Sequence, residues 1–140
     1  MCDRRLFANF SYHHCNAYDD ENGNVIVELV CYDGPAFGAG AYSDLLLDRL
    51  REDKVRLTAG AQLRRYLIDP TAAPNQPVSY TLPIGKVQFD MPRVSAGFVG
   101  RKHRFIYGVE LLSEDGGVDG GNPGRCWMTA PSRVLKADVE

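Results

Sequence analysis

The sequence predicts an all-β protein. Phe10 to Tyr18 alternates in side-chain character, Val25 to Tyr32 is rich in β-branched residues, and further short strand-like segments recur between turn residues. In the first segment Phe10, Tyr12 and His14 fall on one face, with Ser11, His13 and Cys15 on the other. Asp19 to Asn24 follows, and its Asn22-Gly23 pair is a hairpin turn signal because both residues tolerate positive φ. Two strands and a tight turn make an antiparallel hairpin. Gly34 to Gly40 reads as a loop. Ser43 caps the one helix the pattern predicts, through Asp53, with Leu45, Leu46, Leu47 and Leu50 on its apolar side. Gln62 to Asp69 returns to strand and stops at Pro70. Residues 71 to 80, with Pro74 and Pro77, form a connection. Strands are expected again around Gly85–Asp90, His103–Leu112, Arg125–Thr129 and Ser132–Val139, with a glycine-rich loop at Ser113–Gly124. Such spacing fits a sandwich, a barrel or a propeller.

The 140 residues suit one domain of ordinary size, and a net charge of -2 excludes the basic stripe that nucleic acid requires. Arg64-Arg65 and Arg101-Lys102-His103-Arg104 read as solvated strand ends. No apolar run approaches the roughly 20 residues that span a bilayer, and the N-terminus lacks the apolar core of a signal peptide. A cytoplasmic protein is expected, soluble or peripheral to membranes. Cys2, Cys15, Cys31 and Cys126 show no CxxC spacing and read as free thiols. The chain opens and closes on committed strands, as if cut from a larger body.

His13 and His14 are the first candidates for chemistry. Neighbours in a strand point to opposite faces, so only one can reach a given metal. One imidazole cannot hold a metal alone, and a lone strand histidine is more often a hydrogen-bonded core residue. His13 and Cys15 share a face, but tetrahedral zinc needs further ligands at matching spacing. Asp90, in Phe89-Asp90-Met91-Pro92-Arg93, is the second candidate. It is either a turn former paired with Arg93 or a carboxylate that orients a metal-bound histidine through its remote N–H. Gly38-Ala39-Gly40 lacks the rest of a phosphate loop, and Asp19 to Gly23 lacks calcium-loop spacing. Tyr12, Tyr18, Tyr32, Tyr66 and Tyr107 read as sheet packing.

Taken together the motifs are specific. Tyr12-His13-His14-Cys15-Asn16-Ala17-Tyr18-Asp19 resembles the aromatic-His-x-x-Asn-Ala-Tyr/Trp-Glu signature of the carotenoid cleavage oxygenase family. Leu63-Arg64-Arg65-Tyr66, Phe89-Asp90-Met91-Pro92-Arg93, Arg104-Phe105-Ile106-Tyr107-Gly108 and Leu135-Lys136-Ala137-Asp138 are similar, in order, to later strands of that family. The resemblance covers nearly the whole chain. It implies a seven-bladed β-propeller, of which residues 1–140 form one to two blades, incomplete at both ends, with the Ser43–Asp53 helix in an insertion near the lid.

By this match His13 ligates a non-haem Fe2+ held by four histidines in the whole enzyme, and Asp90 stands where a glutamate hydrogen-bonds that ligand. The implied reaction is dioxygenase cleavage of a conjugated double bond in carotenoids or apocarotenoids. An apolar substrate and O2 are the partners, with peripheral membrane contact. Stilbene cleavage and retinoid isomerohydrolysis are the alternatives within the family, and a non-catalytic β-sheet binding module is the alternative outside it. Two departures stand out. The chain carries one of the four ligands, so alone it is expected to be inactive, and His103 matches no ligand position and is expected to be exposed. Asp90 is one methylene short, so its bond to His13 is expected to need a backbone shift or a bridging water.

Overall fold

The computed structural model describes residues 10–32, 61–111 and 132–140. The expected helix at Ser43–Asp53, the strand at Arg125–Thr129 and the loop at Ser113–Gly124 lie outside them, as do Cys2 and Cys126. Two antiparallel sheets make up the rest. β1 (Phe10–Asp19), β2 (Val25–Tyr32), β3 (Ala61–Ile68) and the two-residue β4 (Tyr80–Thr81) form one sheet in chain order. β5 (Phe89–Arg93), β6 (Phe105–Leu111) and β7 (Ser132–Asp138) form the second. The class matches the sequence reading, with two shifts. β4 is too short to leave a periodic signal. The strand expected at Gly85–Asp90 starts only at Phe89 and runs on to Arg93, because Gly85 (φ 67°) closes a turn onto the Leu82 carbonyl.

The β1–β2 hairpin forms where expected, though only Gly23 takes positive φ (79°). The turn is built on Asp20, whose carboxylate accepts the backbone N–H groups of Asn22 (2.8 Å) and Asn24 (2.9 Å) and the Asn24 side chain (2.9 Å). The Asn24 side chain, foremost among these bonds, holds Asp20 below the usual carboxylate range. Its contribution is therefore whole above the unfolded carboxylate value and lost as pH falls through the lower folded one. Asp20→Ala should speed amide exchange at Asn22 and Asn24 and abolish that acid dependence, leaving exchange in β6 unchanged.

β1 departs from simple alternation. Its pairing with β2 slips between His14↔Leu29 and Asn16↔Glu28, which leaves Cys15 as an extra residue. A one-residue insertion moves the following side chains to the other face. Inward positions accordingly run His13, Cys15, then Asn16 and Tyr18. Without this bulge Asn16 would point away from the second sheet.

The main core lies between the sheets: Val30, Tyr32, Ala61 and Leu63 from the first pack with Phe89, Ile106 and Ala137 from the second. A smaller core of Leu29, Cys31, Tyr66 and Val78 covers the outer face of the first sheet. Arg64 stands there too, buried, with its guanidinium 4.4 Å from the centre of the Tyr80 ring. The expectation of a solvated Arg64-Arg65 end is thus corrected: both belong to a central stretch of β3, one on each face.

Candidate functional site

β5 brings the two sequence candidates together. Its pairing with β6 is irregular between Asp90 and Arg93, and Met91 adopts left-handed backbone (φ 54°). That conformation is uncommon for a residue with a side chain, and it turns the Asp90 carboxylate toward the first sheet. His13 Nδ1 donates to Asp90 Oδ1 at 2.8 Å. The bond is direct, although the acid is one methylene shorter than the glutamate of the family pattern. The same oxygen accepts the Met91 N–H (2.7 Å), and Asp90 Oδ2 accepts the Tyr32 hydroxyl (2.5 Å). Burial, then the Asp90 hydrogen bond, raise the Tyr32 hydroxyl above its ordinary value, so it stays a donor. The sequence suggests only sheet packing for Tyr32. Its second role leaves no mark in sequence, because it depends on the register that sets β2 across from β5.

A carboxylate can only accept from His13, so Nδ1 carries a proton and Nε2 is the ring nitrogen left for another partner. The ring is 38% exposed and borders a cavity of about 100 Å³ shared with His14, Met91, Pro92 and Arg93. His14 is exposed on the opposite side of the strand.

The third histidine overturns an expectation. His103 is buried, 4% exposed, although Arg101, Lys102 and Arg104 around it face solvent. Asn16 draws it in. The Asn16 side-chain nitrogen lies 3.0 Å from His103 Nδ1 and donates to the Phe98 (3.1 Å) and Arg101 (3.0 Å) carbonyls, while its oxygen accepts Gly100 N–H (3.0 Å). These backbone partners fix which end of the amide is nitrogen. An amide nitrogen cannot accept, so His103 Nδ1 is bare and the proton is on Nε2. Nε2 approaches Glu28 Oε2 to 3.1 Å, without the alignment of a hydrogen bond. Arg65 holds the other Glu28 oxygen, at 2.8 Å from Nε and 2.7 Å from its terminal nitrogen, and also donates to the Val139 carbonyl.

Cys15, Glu28 and His103 are the one group of metal-ligand type among the described residues, their ligand atoms all within 4.8 Å. The Arg65 guanidinium is already seated on Glu28 and takes up the charge a cation would need. Burial pushes the Cys15 thiol up to about 12, keeping it protonated. Nor are His13 and Cys15 joined in a zinc site. The cluster is a buried polar clamp between β1, β2, β3 and the segment before β6. Its sequence signal was Glu28, an acid on the inward face of an otherwise apolar strand, which must have a partner.

The family model described as Retinal pigment epithelial membrane protein (RPE65) matches residues 3–140. The chain belongs to this family, that of the carotenoid oxygenases. The apocarotenoid-15,15'-oxygenase of Synechocystis sp. is 32% identical over 102 residues, which is 71% of this chain and 18% of that protein. Among solved structures, cobalt-substituted Synechocystis ACO matches at 26% identity with a TM-score of 0.58, covering 94% of this chain and 23% of that one. An ACO/RPE65 chimera matches at 28% identity and a TM-score of 0.55, with the same coverage. The two sheets are a portion of the carotenoid oxygenase β-propeller, as the motifs implied. The chain thus spans about a fifth of the length of these relatives. No helix among the described residues is long and apolar enough to cross a membrane.

Proposed function

We propose that His13 is one ligand of a non-haem ferrous iron in an enzyme that cleaves a conjugated carbon–carbon double bond of carotenoids or apocarotenoids. The observation that carries this reading is the His13–Asp90 bond, which commits Nδ1 and leaves Nε2, on a part-exposed ring, as the nitrogen available to a metal. The residues fit a single ligand position of such a centre. The chain has three histidines; His14 lies on the opposite face and His103 carries its proton on Nε2. Three further imidazoles must therefore come from beyond this chain, and alone it is inactive. Oxygenase activity in the Synechocystis relative and cobalt substitution in its crystal structure support a metal-dependent reading.

Bound ferrous iron would supply the activation of O2, whose two atoms end in the two carbonyl products. The chain's own part is orientation. Asp90 fixes the tautomer and ring plane of His13, and Tyr32 and Met91 fix Asp90. Peripheral contact with lipid, the source of such apolar substrates, belongs to the same reading.

A hybrid tests it: residues 3–140 replace the matching section of the Synechocystis oxygenase. The hybrid should hold iron and cleave an apocarotenal, and His13→Ala should abolish both. Equal iron content in the hybrid and in its His13→Ala form would sink the assignment. Product analysis with stilbene and retinyl ester substrates separates the family alternatives.

A further inference from the structure

The carboxylate that aligns His13 is short, and its plane still has to be fixed. The terminal torsion of an aspartate is broad, so one bond to an imidazole does not fix its plane. Here three donors converge on it: His13 Nδ1 and the Met91 N–H on Oδ1, and the Tyr32 hydroxyl on Oδ2. The first is the group to be positioned. The second comes from the neighbouring residue of the same bulge and moves with it. Among the described residues, only Tyr32 besides His13 itself ties Asp90 to the opposite sheet.

Tyr32 is suited to that task. It lies on β2, between β1 and β3, and its ring is buried, 5.9 Å from Tyr12 in an edge-to-face contact. Tyr12 in turn neighbours the His13 ring at 6.4 Å. The hydroxyl is therefore a fixed point to which the carboxylate is referred. We propose that Tyr32 is a positioning residue for His13, acting through Asp90, and that its hydroxyl compensates for aspartate standing where the family pattern carries glutamate. The inference rests on the reading of His13 as a ligand. It adds a specific coupling: residues 32 and 90 form a matched pair. A glutamate at 90 reaches His13 without help from Tyr32 and crowds the hydroxyl that now meets Asp90.

Long-range proton–nitrogen spectra of the full chain, labelled at histidine, read the coupling directly. In the wild type His13 should be a single tautomer protonated on Nδ1. In Tyr32→Phe it should become a tautomer mixture, with Nδ1 proton exchange about tenfold faster, the scale of one lost hydrogen bond to a charged group. His103, protonated on Nε2, reports in the same spectrum that the fold persists. Asp90→Glu/Tyr32→Phe should restore the wild-type His13 signals.

An unchanged His13 tautomer and exchange rate in Tyr32→Phe would overturn the proposal. Should Tyr32→Phe also disturb His103, the double variant decides: restored His13 signals support the pairing, and unrestored ones overturn it. The spectra need no metal, so failure of the hybrid to hold iron would refute the ligand reading while leaving this alignment standing.

Discussion

Arg65→Met should lower the stability of this chain by about 3 kcal/mol, the low end for removing one partner of a buried ion pair. Glu28 is fully buried, and Arg65 supplies both short contacts to its Oε1. Once the guanidinium is gone, the acid keeps, among the described residues, the misaligned His103 Nε2–H on its other oxygen. The low end applies because the Arg65 side chain is 24% exposed, so some water reaches the vacated space. A loss of that size lowers the thermal midpoint by roughly 10 °C in a domain of this length. Glu28→Gln in the Arg65→Met background removes the stranded charge and should recover most of the loss. Urea unfolding of the two variants checks the pair. If Arg65→Met costs under about 1 kcal/mol, Glu28 is not stranded and the clamp is not a principal support of the sheet interface.

The contrast between the two histidine sites shows what was legible in the sequence. The hairpin was, since Gly23 between an alternating segment and a β-branched one admits few alternatives. The division between His13 and His14 followed from strand geometry alone. The pairing of His13 with Asp90 came from the motif order, because nothing local to either residue points to the other. His103 was misplaced for a physical reason. Its neighbours Arg101, Lys102 and Arg104 are charged and do face solvent, so the local window is polar, while the residues that bury it lie far away on β1 and β2. The bulge at Cys15 was equally hidden. Phe10 to Tyr18 reads as unbroken alternation, yet the slip is what turns Asn16 inward to meet Gly100 and His103. Bulges belong to a pair of strands, and one strand's sequence carries only half of that information.

Gly108→Ala is expected to be the most damaging single methyl in the second sheet. A Cβ at Gly108 would stand 2.3 Å and 2.4 Å from two ring carbons of Phe89 and 2.8 Å from the Asp90 carbonyl oxygen. The first contacts involve a side chain with no exposure, closed in by Ile106, Leu63 and Val30. The third involves backbone at the start of the bulge, where pairing passes from Asp90↔Val109 to Arg93↔Tyr107. Neither can yield without cost. Overpacking of this kind destabilises by about 1–3 kcal/mol, and two simultaneous clashes place the effect at the upper end. The consequence reaches the candidate site, because moving the Asp90 carbonyl disturbs the left-handed Met91 and with it the carboxylate on His13. The His13 signals should therefore broaden in Gly108→Ala while those of His103, held from β1, remain. Phe89→Leu withdraws the ring and relieves the side-chain clash but not the one with the carbonyl. Gly108→Ala/Phe89→Leu should consequently be more stable than the sum of the single losses by about 1 kcal/mol, with His13 still perturbed. Strict additivity in denaturant unfolding would show that Phe89 is not what excludes a side chain from position 108.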